Sequence, residues 1–175
     1  MGKYFTVEVK PTITASLQTS AFGNNDILFD WTAFDIPKGS KNLTGLTALI
    51  RGQDGADDAD AHDWDLFFAK SIDGEAPASL GTINSAVTTF GWARNLLGHI
   101  QVDASAVGDD GNLVYMNVQT IPGGHSNNTH FLNGLVLTGE PDSGVNVGYD
   151  RIYVAAISAN STDFDFSTTV LARGG

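Results

Sequence analysis

The densest concentration of chemically capable side chains is Asp54-Gly55-Ala56-Asp57-Asp58-Ala59-Asp60-Ala61-His62-Asp63-Trp64-Asp65, six carboxylates and one imidazole within twelve residues. Calcium takes about six to eight oxygen ligands, which an acidic loop between two strands can supply, so Asp54, Asp57, Asp58 and Asp60 are candidate calcium ligands. The EF-hand spacing is absent. Counted from Asp58, the third position is Asp60, the fifth His62, the sixth Asp63 instead of Gly, and the twelfth Ala69 instead of Glu. The competing reading is a solvated loop of mutually repelling charges. Zinc at His62 is disfavoured, because structural zinc draws on Cys and His and no other histidine is close in sequence. His125, Ser126 and His130 in Gly123-Gly124-His125-Ser126-Asn127-Asn128-Thr129-His130 suggest a nucleophile and a base. They lack a Gly-x-Ser-x-Gly elbow and a nearby carboxylate to orient either imidazole. Of the tryptophans, Trp31 and Trp64 sit in strand-like segments and read as packing, whereas Trp92 in Phe90-Gly91-Trp92-Ala93-Arg94 is the candidate for ligand stacking.

No constellation of catalytic carboxylates, phosphate loop or H-E-x-x-H can be named, which moves the expectation from an enzyme to a binding or structural protein. Nine Lys and Arg against twenty Asp and Glu give a net charge of -11, and nucleic-acid affinity depends on clustered cations, so no nucleic-acid partner is expected. There is no Cys, which excludes disulfides and thiolate chemistry. The start Met1-Gly2-Lys3-Tyr4-Phe5-Thr6 has no apolar core of a signal peptide, and no apolar run is long enough to span a bilayer, so no membrane partner is expected.

The elements that must position these residues read as strands. Charged residues are only 17% of the chain and Gly numbers 20, a composition that disfavours long exposed helices. Short Val-, Ile-, Thr-, Phe- and Tyr-rich segments lie between Gly, Asp, Asn and Pro clusters. About nine strands are expected: Tyr4–Leu17 broken near Pro11, Ile27–Ile36, Leu43–Arg51, Asp63–Ser71, His99–Ala104, Asn112–Thr120, Phe131–Leu137, Arg151–Ser158 and Phe164–Ala172. Phe5, Val7 and Val9 alternate with Thr6, Glu8 and Lys10, as on a half-buried strand. Leu113–Val118 and Ile152–Ile157 are near-continuous apolar runs, suited to strands covered on both faces. Asp110-Gly111 predicts a hairpin, and Ala93–Leu97 could form a short helical turn closed by Gly98. The fold class expected is all-β with little helix: one β-sandwich domain over 1–175, of jelly-roll or Greek-key type.

Leu66-Phe67-Phe68-Ala69-Lys70-Ser71-Ile72-Asp73-Gly74-Glu75-Ala76-Pro77-Ala78-Ser79-Leu80-Gly81-Thr82 resembles the small virion structural proteins of tailed bacteriophages. The resemblance is one of chain style across the strand-turn-strand centre, and it extends loosely to Thr6–Leu17 and Ile152–Ala172. It implies a capsid decoration or cement protein: a non-enzymatic β domain, often a homotrimer, on the outer surface of the virion, clamping neighbouring copies of the major capsid protein. Lys3, Tyr4, Phe5, Lys10, Lys38 and Lys41 are then the capsid-contact candidates, with residues 1–17 an extended arm or, equally, the first strand of the sandwich. Charge distribution supports that side, since residues 52–75 carry eight acids and one base whereas the lysines gather in the first quarter. Two other readings compete: a carbohydrate- or receptor-binding β-sandwich using Trp92 and a calcium-loaded loop, and a cupin-like enzyme using His62, His125 and His130.

Overall fold

The structure is a computed structural model that describes residues 4–12, 22–51, 63–102, 107–109, 113–119, 135–140, 149–159 and 171–174. The chain is all-β. Its strands are β1 (Val7–Val9), β2 (Ile27–Pro37), β3 (Lys41–Asn42), β4 (Gly45–Arg51), β5 (Trp64–Lys70), β6 (Leu96–Val102), β7 (Val107–Asp109), β8 (Leu113–Gln119), β9 (Val136–Leu137), β10 (Tyr149–Ser158) and β11 (Leu171–Gly174), with a 3-10 helix at Gly91–Asn95. One sheet runs β1-β11-β4-β8-β7, a second runs β2-β10-β5-β6, and β3 pairs with β9. Every pairing is antiparallel. The pairs β5–β6, β4–β8, β2–β10 and β1–β11 are nested, as if one long hairpin had been folded over two sheets.

The two larger sheets share a core. Leu46 and Ala48 of β4 and Val9 of β1 cluster with Leu28, Phe29 and Ile36 of β2, Trp64, Leu66 and Phe68 of β5, and Ile152, Val154 and Ala156 of β10. The near-continuous apolar run in β10 is explained by its position, hydrogen-bonded to β2 on one side and β5 on the other. Its even-numbered residues enter the core, while Ala155 and Ile157 face outward into a second cluster with Ile27, Leu80 and Trp92. Leu80 and Trp92 of that cluster, with Ile83 and Val87 against it, come from residues 76–95, which lie over the outer face of the β2-β10-β5-β6 sheet as a clip.

Several expectations are met with shifted boundaries. The alternation in the first strand is observed, with Val9 buried and Thr6, Glu8 and Lys10 exposed. The hairpin exists as β7 paired to β8, Asp109 opposite Val114, but of the strand read upstream of it, His99–Ala104, the described residues 99–102 lie in the other sheet as part of β6. Three residues, Val107–Asp109, serve instead. The helical turn is a 3-10 helix ending at Asn95, so Gly98 does not close it and lies inside β6. The reason is local: Ala93 N–H donates to Phe90 O at 3.0 Å, Asn95 Nδ2 donates to Lys70 O at 2.9 Å, and pairing of Leu96 with Ala69 takes the chain straight into the strand. Of Phe131–Leu137 only β9 and Leu135 are described, and residues 164–170 of the final expected strand lie outside the described residues.

Candidate functional site

The capsid-contact candidates fall on two elements. β1 is the outermost strand of its sheet, paired with β11 in the register Val7 with Gly174 and Val9 with Ala172. Tyr4, just before it, is 86% exposed, Lys10 just after it is exposed, and Phe5 lies partly buried against the core. Alternation produces this arrangement, because a strand that buries Phe5, Val7 and Val9 must turn its even-numbered residues outward. Lys38 and Lys41 meet in the turn after β2, where the Lys41 ammonium donates to Lys38 O at 2.8 Å and to Gly39 O at 3.2 Å. Lys3 lies outside the described residues, as do Met1, Gly2 and residues 13–17 of the arm.

Trp92 requires a correction. It is 6% exposed and belongs to the core of the clip, so it offers no ligand-stacking face. Its ring lies 5.5 Å from Phe67 and 5.9 Å from Trp31 in tilted and edge contacts, and its indole N–H donates to Thr89 O at 2.8 Å. The outward residues of β2, β10 and β5 present Ile27, Ala155 and Phe67, an apolar surface that must be covered, and Trp92 covers it. Phe90, two residues earlier, carries the exposure instead at 67%. Trp31 and Trp64 pack as expected: Trp64 is fully buried, and the indole N–H of Trp31 donates to Ala78 O at 2.8 Å.

The calcium candidates Asp54, Asp57, Asp58 and Asp60 lie outside the described residues, together with His62, His125, Ser126 and His130. Among the described residues, no three His, Cys, Asp or Glu side chains gather as a metal site.

Sequence reading missed three carboxylates that hold loops to the sheets. Asp30 accepts the Leu80 and Trp31 backbone N–H groups at 3.1 and 2.9 Å, which fastens the clip to β2. Glu140 grips the two-residue turn at Asp73-Gly74, accepting Asp73 N–H at 2.7 Å and Gly74 N–H at 3.0 Å. Both turn residues have positive φ, 55° and 79°, which directs their N–H groups to one side as an anion cradle. The bonds from Gly74 and then Asp73, helped by Lys70, hold the Glu140 carboxyl below its ordinary range. Asp150 is buried, accepting Gly39 N–H at 3.0 Å with Oδ2, while Oδ1 has no partner among the described residues. The partners of Glu140 and Asp150 are 66 and 111 residues away in sequence, so no local pattern could announce them.

No protein-family profile, no curated protein and no solved structure matches this chain. Among the described residues no helix is long and apolar enough to cross a membrane.

Proposed function

We propose that this chain is a non-enzymatic virion structural protein, a capsid decoration or cement protein that binds the outer face of the major capsid protein shell and stabilises it, self-associating as a homotrimer. The observation that carries the reading is the nested winding. With β3, β7 and β9 set aside, β1-β11-β4-β8 faces β2-β10-β5-β6, the wiring expected of a jelly roll, an architecture that recurs in viral capsid and lectin domains. The burial of Trp92 weighs against the lectin-like alternative in its original form.

The shell contact in this reading is the β1 edge. An outermost strand of three residues, preceded by an exposed Tyr4 and followed by an exposed Lys10, suits strand addition by a partner with an aromatic anchor beside it. Exposed Lys10 stands at this edge beside exposed Glu8, and Lys38 and Lys41 lie in the turn after β2, so in this reading an acidic shell surface meets both elements.

Co-sedimentation with undecorated expanded capsids tests the proposal. Saturable binding at a fixed ratio to shell subunits, lowered by Tyr4→Ser and by combined Lys10→Glu, Lys38→Glu and Lys41→Glu substitution, is expected. Absence of binding, or binding undiminished by all four substitutions, removes the reading.

A further inference from the structure

The turn that Glu140 grips contains a peptide bond with a chemistry of its own. Ile72 and Glu75 pair as an isolated antiparallel bridge, exchanging N–H···O bonds of 3.1 and 3.0 Å, and the two residues between them, Asp73 and Gly74, have φ of 55° and 79°. Positive φ at both central residues defines a type I′ turn, which Asp-Gly suits because Gly adopts it freely and Asp tolerates it. Asp-Gly is also open to self-attack, since no Cβ on the glycine shields its nitrogen. In that reaction the Gly74 nitrogen attacks Asp73 Cγ, a nitrogen–Cγ bond forms, and the carboxyl hydroxyl leaves with the amide proton as water. Water then opens the resulting succinimide. Attack at Cγ restores aspartate, whereas attack at the Asp73 backbone carbonyl breaks its bond to the Gly74 nitrogen and leaves the chain linked through Cγ as isoaspartate. Mass is unchanged and the only co-reactant is solvent, which reaches both exposed residues.

The folded geometry opposes the first step. Ring closure needs Asp73 Cβ and the Gly74 nitrogen on the same side of the Asp73 Cα–C bond, but the first central residue of a type I′ turn has ψ of about +30°, which sets them nearly opposite. Rotation about that bond swings the Gly74 N–H away from Glu140 Oε2, which it meets at 3.0 Å, while the Asp73 N–H, 2.7 Å from Oε1, holds the same carboxylate in place. The attacking nitrogen must also shed its proton, and a carboxylate that already accepts that N–H disfavours a second negative charge beside it. The reciprocal bonds of Ile72 and Glu75 close the turn by themselves, so Glu140 adds a restraint on the two amides that ring closure must move. We propose that Asp73-Gly74 is a latent site of aspartate isomerisation and that Glu140 keeps it dormant by holding both turn amides. This role does not depend on shell binding.

Peptide mapping of the full chain, incubated at neutral pH and physiological temperature, tests this. The tryptic peptide Ser71–Arg94 contains Asp73 as its only aspartate, so a new chromatographic peak of equal mass that accepts a methyl group from an isoaspartyl methyltransferase reports on that residue. Isomerisation is expected to be slow in the folded parent and fastest in the parent unfolded by guanidinium chloride. In folded Glu140→Ala it is expected to be about tenfold faster than in the folded parent, the factor that one hydrogen bond to a charged group supplies. Glu140→Gln, which keeps the length and loses the charge, is expected to fall between Glu140→Ala and the parent. Thermal melting checks folding, and should Glu140→Ala not fold, Glu140→Gln decides. A folded parent that isomerises as fast as the unfolded chain, or folded variants no faster than the parent, would overturn the proposal.

Discussion

Gly139 sits where a single methyl group has no room. A Cβ built on it would lie 2.6 Å from Asp150 Cβ and 3.2 Å from both the backbone N and the backbone O of Arg151. None of these atoms is the end of a flexible side chain, so Gly139→Ala must push the 138–140 segment away from β10. Overpacking of this kind costs about 1–3 kcal/mol. The same displacement loosens the hydrogen bond from Gly39 to the buried Asp150, about 1 kcal/mol more. Lower entropy of the unfolded chain returns about 0.4–1 kcal/mol. The expected net loss is about 1–3.5 kcal/mol, or roughly 2–14 °C in melting temperature for a domain of this size. Gly98→Ala is the internal comparison: its Cβ would also lie 2.6 Å from a neighbour, but that neighbour is Leu135 Cδ1, which can rotate aside. Its cost is that of one rotamer shift, about 1 kcal/mol or less. Urea titrations of both variants with common slopes would measure the contrast. A Gly139→Ala protein as stable as the parent, or losses equal in the two variants, would refute the reasoning.

Trp92→Ala removes a buried indole and its bond to Thr89, and is expected to cost about 3–5 kcal/mol in urea unfolding, with Trp92→Phe costing much less. Asp30→Ala deletes the anchor of the clip, so the Leu80 amide is expected to lose hydrogen-exchange protection while amides of β5 and β10 keep theirs. Glu140 has a depressed carboxyl pKa in the folded chain, so its stabilising contribution is complete above the unfolded pKa and disappears as pH falls through the folded value. The difference in urea midpoint between the parent and Glu140→Ala is therefore expected to be full at pH 7 and to shrink in acid below the ordinary glutamate range. An unchanged difference across that window would show that the grip on the Asp73-Gly74 turn contributes nothing through ionisation.

How much was legible depends on the range of each interaction. Ile27–Ile36, Leu43–Arg51, Asp63–Ser71 and Arg151–Ser158 announce themselves because β-branched and aromatic residues fill them and breakers bound them. Trp92 misleads because local sequence shows only its Gly and Arg neighbours. Its burial depends on Phe67 and Trp31, which reach it through strand pairing and a crossing loop. Within an apolar run that reads as covered on both faces, Tyr153 is only partly buried, because the cover of the outer face depends on residues remote in sequence.

The nested pairing also governs when this protein can fold. Among the described strands β11 is made after the other ten and lies between β1 and β4, and β10 lies between β2 and β5. On the ribosome β1 and β2 are made before the strands they pair with, β11 and β10, and wait through the synthesis of β3 to β9 for them. Hairpins such as β5–β6 can form meanwhile, but β2 and β5 lack the strand that joins them until β10 leaves the exit tunnel. Each early strand is thus a waiting edge, and crowded synthesis of many copies puts such edges beside one another before their own partners arrive.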